Sequence, residues 1–248
     1  MVGRRLWTEG EIRKALSLYL RTAFGRIDQR NPEIMALAEE IGRTVSSVAL
    51  KLVNLAALDD SLPQKGMANV SAADRRVWQA FLNNPESLFD TASYSIPVPD
   101  YRGFADAGSV ITGHATGIDL SVSATRRVGQ ALFREAVLTS YKGRCGLTGI
   151  EDARLLNASH IVGWADAPDQ RMNFRNGICL GALHDRAFDR HLIAFADDWR
   201  LLVRSDVPDA ARNALLRGAG SHLRMPERFL PDPDLIARHR QVFDRAAA

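Results

Sequence analysis

Two short apolar runs, each tied to a histidine, decide what this chain can become. The first reads Leu155-Leu156-Asn157-Ala158-Ser159-His160-Ile161-Val162 and carries His160 near its end. The second follows an Asn-Gly turn signal at Asn176-Gly177. It reads Ile178-Cys179-Leu180 and passes into Gly181-Ala182-Leu183-His184-Asp185-Arg186-Ala187-Phe188-Asp189. Short apolar runs bounded by turn signals predict strands, and the last segment has helical spacing. The expected order is therefore strand, polar loop, strand, helix.

The polar residues on that frame suit phosphodiester cleavage. A neutral imidazole has a pKa near working pH and can take a proton from water. A divalent cation can stabilise the negative charge that develops on the phosphate. Asp185 and Asp189 are four apart and share a helix face. His184 lies about 100° round the helix from Asp185. Singly, each feature has an ordinary structural reading: a histidine after a strand, a turn asparagine, acids on a solvated helix face. Their joint order and spacing carry the chemistry.

That order resembles the ββα-metal fold of HNH nucleases. The run Ala182-Leu183-His184-Asp185-Arg186-Ala187-Phe188-Asp189-Arg190 is similar to the restriction-endonuclease-like branch of that family. The resemblance implies His160 as general base and Asn176 as the residue that pins the loop and aims His160. It implies helix ligands for one Mg²⁺ or Mn²⁺ among His184, Asp185 and Asp189. His184 is the third letter of the motif. Asp185, nine residues after Asn176, is the rival ligand. The position before the base is often Asp or His in such proteins and is Ser159 here. A hydroxyl is a weak ligand, which suits a cation that keeps several waters. Many HNH modules also hold a structural zinc through two CxxC pairs. Here Cys145-Gly146-Leu147-Thr148 and Cys179-Leu180-Gly181-Ala182 keep one Cys each, and two thiols do not complete a tetrahedral site. No structural zinc is expected.

Composition bounds the rest. With 46% apolar and 25% charged residues, the chain reads as soluble and globular. No apolar run reaches membrane-spanning length. The start, Met1 to Trp7, lacks the apolar core of a signal peptide. Two cysteines are too few for a disulfide framework, so a reducing cytoplasm is expected. The net charge of +3 is uneven, +4 over residues 124–248 and −1 before them. The basic excess lies with the strand–loop–strand–helix half, in keeping with a phosphate partner.

The N-terminal segment reads as helical. Thr8 and Glu11 form a capping-box pattern. Asn31-Pro32 starts a second helix, with Ile34, Leu37, Ala38 and Ile41 as its stripe. Gly42 breaks it, and Thr44 caps a third helix holding Val48, Leu50, Leu52 and Val53. Helix, Gly turn, helix is the shape of a helix-turn-helix. On that reading Arg43, Thr44, Ser46, Ser47 and Lys51 face DNA; the alternative is a plain helical bundle. Ser71 and Asp74 start a further helix running to Phe89, with Val77, Trp78, Phe81 and Leu82 on its apolar face. Leu6-Trp7-Thr8, Arg30-Asn31-Pro32-Glu33 and Gly42-Arg43-Thr44 are similar to the N-terminal part of HNH restriction endonucleases.

Residues 91–123 are rich in Pro and Gly and read as a linker, with a short strand near Ser109–Thr112 and His114 as a loop residue. A helix follows, in which Gln130 and Arg134 are candidate phosphate contacts. After Asp189, Leu192–Phe195 and Trp199–Val203 predict a hairpin that extends the sheet. Helices are expected at 208–217 and 234–245, with His239 on a surface face and Pro226, Pro231 and Pro233 breaking the chain between them. The fold class is α+β: a helix-turn-helix-like domain (1–90), a linker, and a ββα-metal HNH nuclease domain (124–248). The expected activity is endonucleolytic hydrolysis of double-stranded DNA by a homodimer, of bacterial restriction type. The alternatives are a DNA-binding protein that has lost turnover, and a nuclease subunit triggered by a partner in a defence system.

Overall fold

The computed structural model describes residues 5–62, 69–84 and 117–247. Among the described residues the N-terminal part holds four α-helices: α1 (Glu9–Arg21), α2 (Pro32–Glu40), α3 (Val45–Ala56) and α4 (Ala72–Asn83). Their starts are where local chemistry demands. Thr8 and Glu11 satisfy each other's backbone N–H at the start of α1. Asn31 and Thr44 cap α2 and α3, and Ser71 and Asp74 repeat the box at α4. Gly42 takes φ +63°, the left-handed conformation that ends α2 cheaply. Ile34, Leu37 and Ala38 bury as expected, but Leu50 and Leu82 face outward, 44% and 56% exposed. The helix beginning after Ser71 stops at Asn83, short of Phe89.

The linker, with its expected strand and His114, lies outside the described residues up to position 116. Residues 117–123 belong instead to α5 (Gly117–Ser140), an unbroken helix. Lys142 and Gly143 both have positive φ and turn the chain toward the hairpin. Strands β1 (Leu156–His160) and β2 (Gly177–Gly181) pair antiparallel, with His160 opposite Gly177 and Leu156 opposite Gly181. Helix α5 packs on this hairpin, and α6 (Ala182–Asp189) follows β2 directly and packs against both strands.

The second hairpin, β3 (Ile193–Phe195) with β4 (Leu201–Val203), forms a sheet of its own. The expectation that it extends the first sheet is corrected, because β3 packs under α6 and against the last helix. Helices α7 (Asp209–Leu216) and α8 (Pro233–Ala247) complete the fold. Pro233 does not separate helices; it opens α8, where its missing N–H removes no helical bond.

The N-terminal helices and the C-terminal half share one hydrophobic core. Helix α1 lies on α5, and Thr139 Oγ1 donates to Arg21 O at 3.0 Å. The buried Arg228 donates to Tyr19 O and Leu20 O at the end of α1. Phe81 of α4 meets Phe174, just before β2, with ring centroids 5.8 Å apart.

Candidate active site

Successive residues of a strand point to opposite faces, and β1 uses this to divide its polar residues. His160 faces α5, where its ring stacks on Phe133 at 3.9 Å and 7° between planes. Trp164 meets the same imidazole edge-on at 5.5 Å. His160 Nε2 lies 3.1 Å from Arg171 O. A carbonyl only accepts, so Nε2 carries the hydrogen and the basic lone pair is on Nδ1. Arg171 also closes the loop on itself. Its Nε donates to Trp164 O at 2.9 Å, and its guanidinium lies over the Trp164 ring.

Asn176, completely buried, holds that loop at both ends. Its Oδ1 accepts from Val162 N at 2.9 Å. Its Nδ2 reaches Val162 O at 3.1 Å and Gln170 O at 3.2 Å. Asn176 O accepts from Ile161 N. A buried amide with its donors and acceptor all engaged is a rigid clamp. It fixes the segment that supplies the Arg171 carbonyl to His160.

Ser159 and Asn157 lie on the other face of β1, toward α6. Ser159 Oγ donates to Asp185 Oδ1 at 2.5 Å, and Asn157 Nδ2 donates to Asp185 Oδ2 at 2.6 Å. Asp185 sits in the first turn of α6, where the helix dipole favours a carboxylate.

His184 goes elsewhere. It is 4% exposed, and its Nε2 is 2.8 Å from Leu215 O. It falls on the buried stripe of α6 with Ala187 and Phe188, so helix geometry turns it from the face that meets β1. Asp189 is exposed at the end of the helix. Among the described residues no three His, Cys, Asp or Glu side chains gather as a metal site. The donors that meet are oxygens, Asp185 with Ser159. One carboxylate and one hydroxyl fit a hard cation that keeps most of its waters; His184 does not join that set.

The candidate DNA contacts divide similarly. Lys51 is buried and paired with Asp74 at 2.7 Å. Arg43 bonds Glu11, Arg5 O and Leu6 O and lies over the Trp7 ring. Both cations hold the N-terminal arm and bundle together, so neither presents a charge to a phosphate in this arrangement. Thr44 is spent as the α3 cap, Ser46 is exposed and Ser47 half-buried. Arg134 donates to Ala153 O at 3.0 Å, tying α5 to the approach to β1, and Gln130 is half-buried one turn earlier.

Cys145 and Cys179 are buried free thiols. Cys145 Sγ accepts from Gly181 N and Thr148 N. Burial, with Cys145 nearby, pushes the Cys179 thiol up to about 12, which keeps it protonated and inert.

Sequence reasoning passed over Asn157 and Phe133, each of which touches a site residue. The period-2 relation of Asn157 to Ser159 was a usable signal; Phe133 gave none, since its stacking needs a contact between residues 27 apart. Residues 145–196 match a family model described as HNH endonuclease. No curated protein matches the chain.

Proposed function

We propose that this protein, whose residues 145–196 match an HNH endonuclease family model, is a divalent-metal-dependent DNA endonuclease of restriction type, with His160 as general base. The observation that carries the reading is the end of β1. An imidazole with its tautomer held by Arg171 O stands one residue from a hydroxyl bonded to a helix carboxylate. Ser159 and His160 are adjacent at the strand end, with Cα atoms about 3.8 Å apart, and in this reading the scissile phosphate lies across that end.

In this mechanism His160 Nδ1 takes a proton from the attacking water. Phe133 and the Arg171 carbonyl keep the ring from turning, and the carbonyl steadies the imidazolium that results. Asn176 holds the loop that carries Arg171. Asp185 and Ser159 would hold Mg²⁺ or Mn²⁺, which supplies charge stabilisation to the phosphate and the leaving 3′ oxygen. Cutting both strands with one site per chain calls for a second copy, and a homodimer belongs to this reading.

The single carboxylate favours a second reading: a DNA-binding protein on the same fold with little turnover. Plasmid nicking separates the two. Wild type should nick DNA in Mg²⁺ or Mn²⁺, and His160→Ala and EDTA should each abolish cutting. His160→Ala cutting at the wild-type rate would sink the assignment. Cation and DNA binding without cleavage by wild type would favour the second reading.

A further inference from the structure

The helix carboxylate is held from β1 at two points, and only one of them is the residue beside the base. Asn157 lies two positions before Ser159, so strand periodicity puts both on the face toward α6. Its Nδ2 is 2.6 Å from Asp185 Oδ2, while Ser159 Oγ is 2.5 Å from Oδ1. An ionised carboxylate only accepts, so Asn157 must present its amide N–H, and such charge-assisted bonds are short and strong. The terminal torsion of an aspartate is soft and nearly two-fold. One bond would leave the carboxylate hinged; two bonds, one to each oxygen, lock its plane.

That lock settles how the carboxylate can serve a cation. Neighbouring oxygens of an octahedron with bonds of 2.0–2.1 Å are about 2.9 Å apart. Ser159 Oγ and Asp185 Oδ1 need open by only a few tenths of an ångström, with the hydroxyl hydrogen turning away, to stand as adjacent ligands. Oδ2 is meanwhile held by the Asn157 amide. We propose that Asn157 is a positioning residue: it holds Oδ2 of Asp185 so that the carboxylate meets a divalent cation through Oδ1 alone, beside Ser159 Oγ. This rests on the reading above that Asp185 and Ser159 hold the cation.

The test is Mn²⁺ binding to the full chain, by titration calorimetry and by loss of the free-ion electron paramagnetic resonance signal. It compares wild type, Asp185→Ala, Asn157→Ala and the near-isosteric Asn157→Leu, with melting temperatures in EDTA. Partners of metal ligands typically change affinity 10–100-fold. Both Asn157 variants should melt as cooperative proteins and bind Mn²⁺ at least about tenfold more weakly. Their nicking rate should recover toward wild type at saturating Mn²⁺. Asp185→Ala should not bind. If the Asn157 variants bind like wild type while Asp185→Ala does not, the role of Asn157 is overturned and the cation reading stands. If Asp185→Ala binds like wild type, the cation reading itself falls. If both Asn157 variants are unfolded in EDTA, Asn157 is a residue of the fold and the inference is overturned.

Discussion

At the scale of single residues, the histidines divide by what surrounds each ring. His160 is held by a carbonyl and an aromatic face at the end of a strand. His184 and His239 each give Nε2 to a backbone carbonyl inside the core. Expected at the surface, His239 is instead 4% exposed and stacked on Phe188 at 3.8 Å, with His191 at 4.4 Å. Burial pushes its pKa down to about 4; its bond to Phe188 O opposes this, and the His191 ring adds to it. His191 is also lowered, by burial first. A histidine that binds its proton less readily when folded favours the unfolded chain once pH drops below the unfolded value of about 6.5. Its neutral form is fully compatible with the fold above that value. Stability should therefore fall as pH goes from about 6.5 toward 4 and level off below. The full loss is up to about 3 kcal/mol at 1.36 kcal/mol per pKa unit. Urea midpoints between pH 7 and 4.5 check this. His239→Gln should flatten the slope in that window, and an unchanged slope would assign the loss to other groups.

At the scale of elements, the hairpin and the helices either side of it set the site. Gly177 stands opposite His160 in the register, and its φ is ordinary for any residue. Clearance is what makes it glycine. A Cβ there would lie 2.9 Å from Phe133 Cζ and collide with Val137. Phe133 is the ring stacked on His160, so Gly177→Ala should push α5 off the hairpin. Overpacking of this kind typically costs 1–3 kcal/mol. The expected outcome is a lower melting temperature and a nicking rate reduced beyond the loss of folded protein. A variant as stable and active as wild type would show that α5 gives way freely. The same contrast of local and distant explains what the sequence disclosed. Thr8 with Glu11, Asn31, Thr44, and Ser71 with Asp74 act within three residues, and all were legible. So was the β1–loop–β2–α6 order. The choice between His184 and Asp185 was not, because it depends on which face of α6 meets β1. Nor were the fates of Lys51 and Arg43, whose partners Asp74 and Glu11 lie 23 and 32 positions away. The second hairpin misled because alternation identifies strands but not the sheet they join.

At the scale of the molecule, aromatic rings run from the N-terminal bundle to the candidate base. Tyr19 meets Trp78 at 6.0 Å, Trp78 meets Phe81 at 6.1 Å, and Phe81 meets Phe174 at 5.8 Å. Phe174 meets Phe133 at 6.2 Å, and Phe133 stacks on His160. The bundle thus backs the surface on which the imidazole rests. Arg228 reinforces the join from the C-terminal side, with its cation at the carbonyl end of α1. Halves joined through a common core should unfold together. Phe81 is the sensitive point, being 4% exposed and the α4 ring that touches Phe174. Phe81→Ala removes a buried ring, a change that costs about 3–5 kcal/mol. Its effect should reach the hairpin: amide exchange in β1 and β2 should speed up with that in α4, in a single melting transition. Were the bundle an independent domain, the variant would melt in two steps and the hairpin amides would keep their wild-type protection. The distinction bears on the site, because in a coupled bundle Phe81 and Phe174 support the Phe133 ring on which the imidazole rests, and in a tethered one they would not.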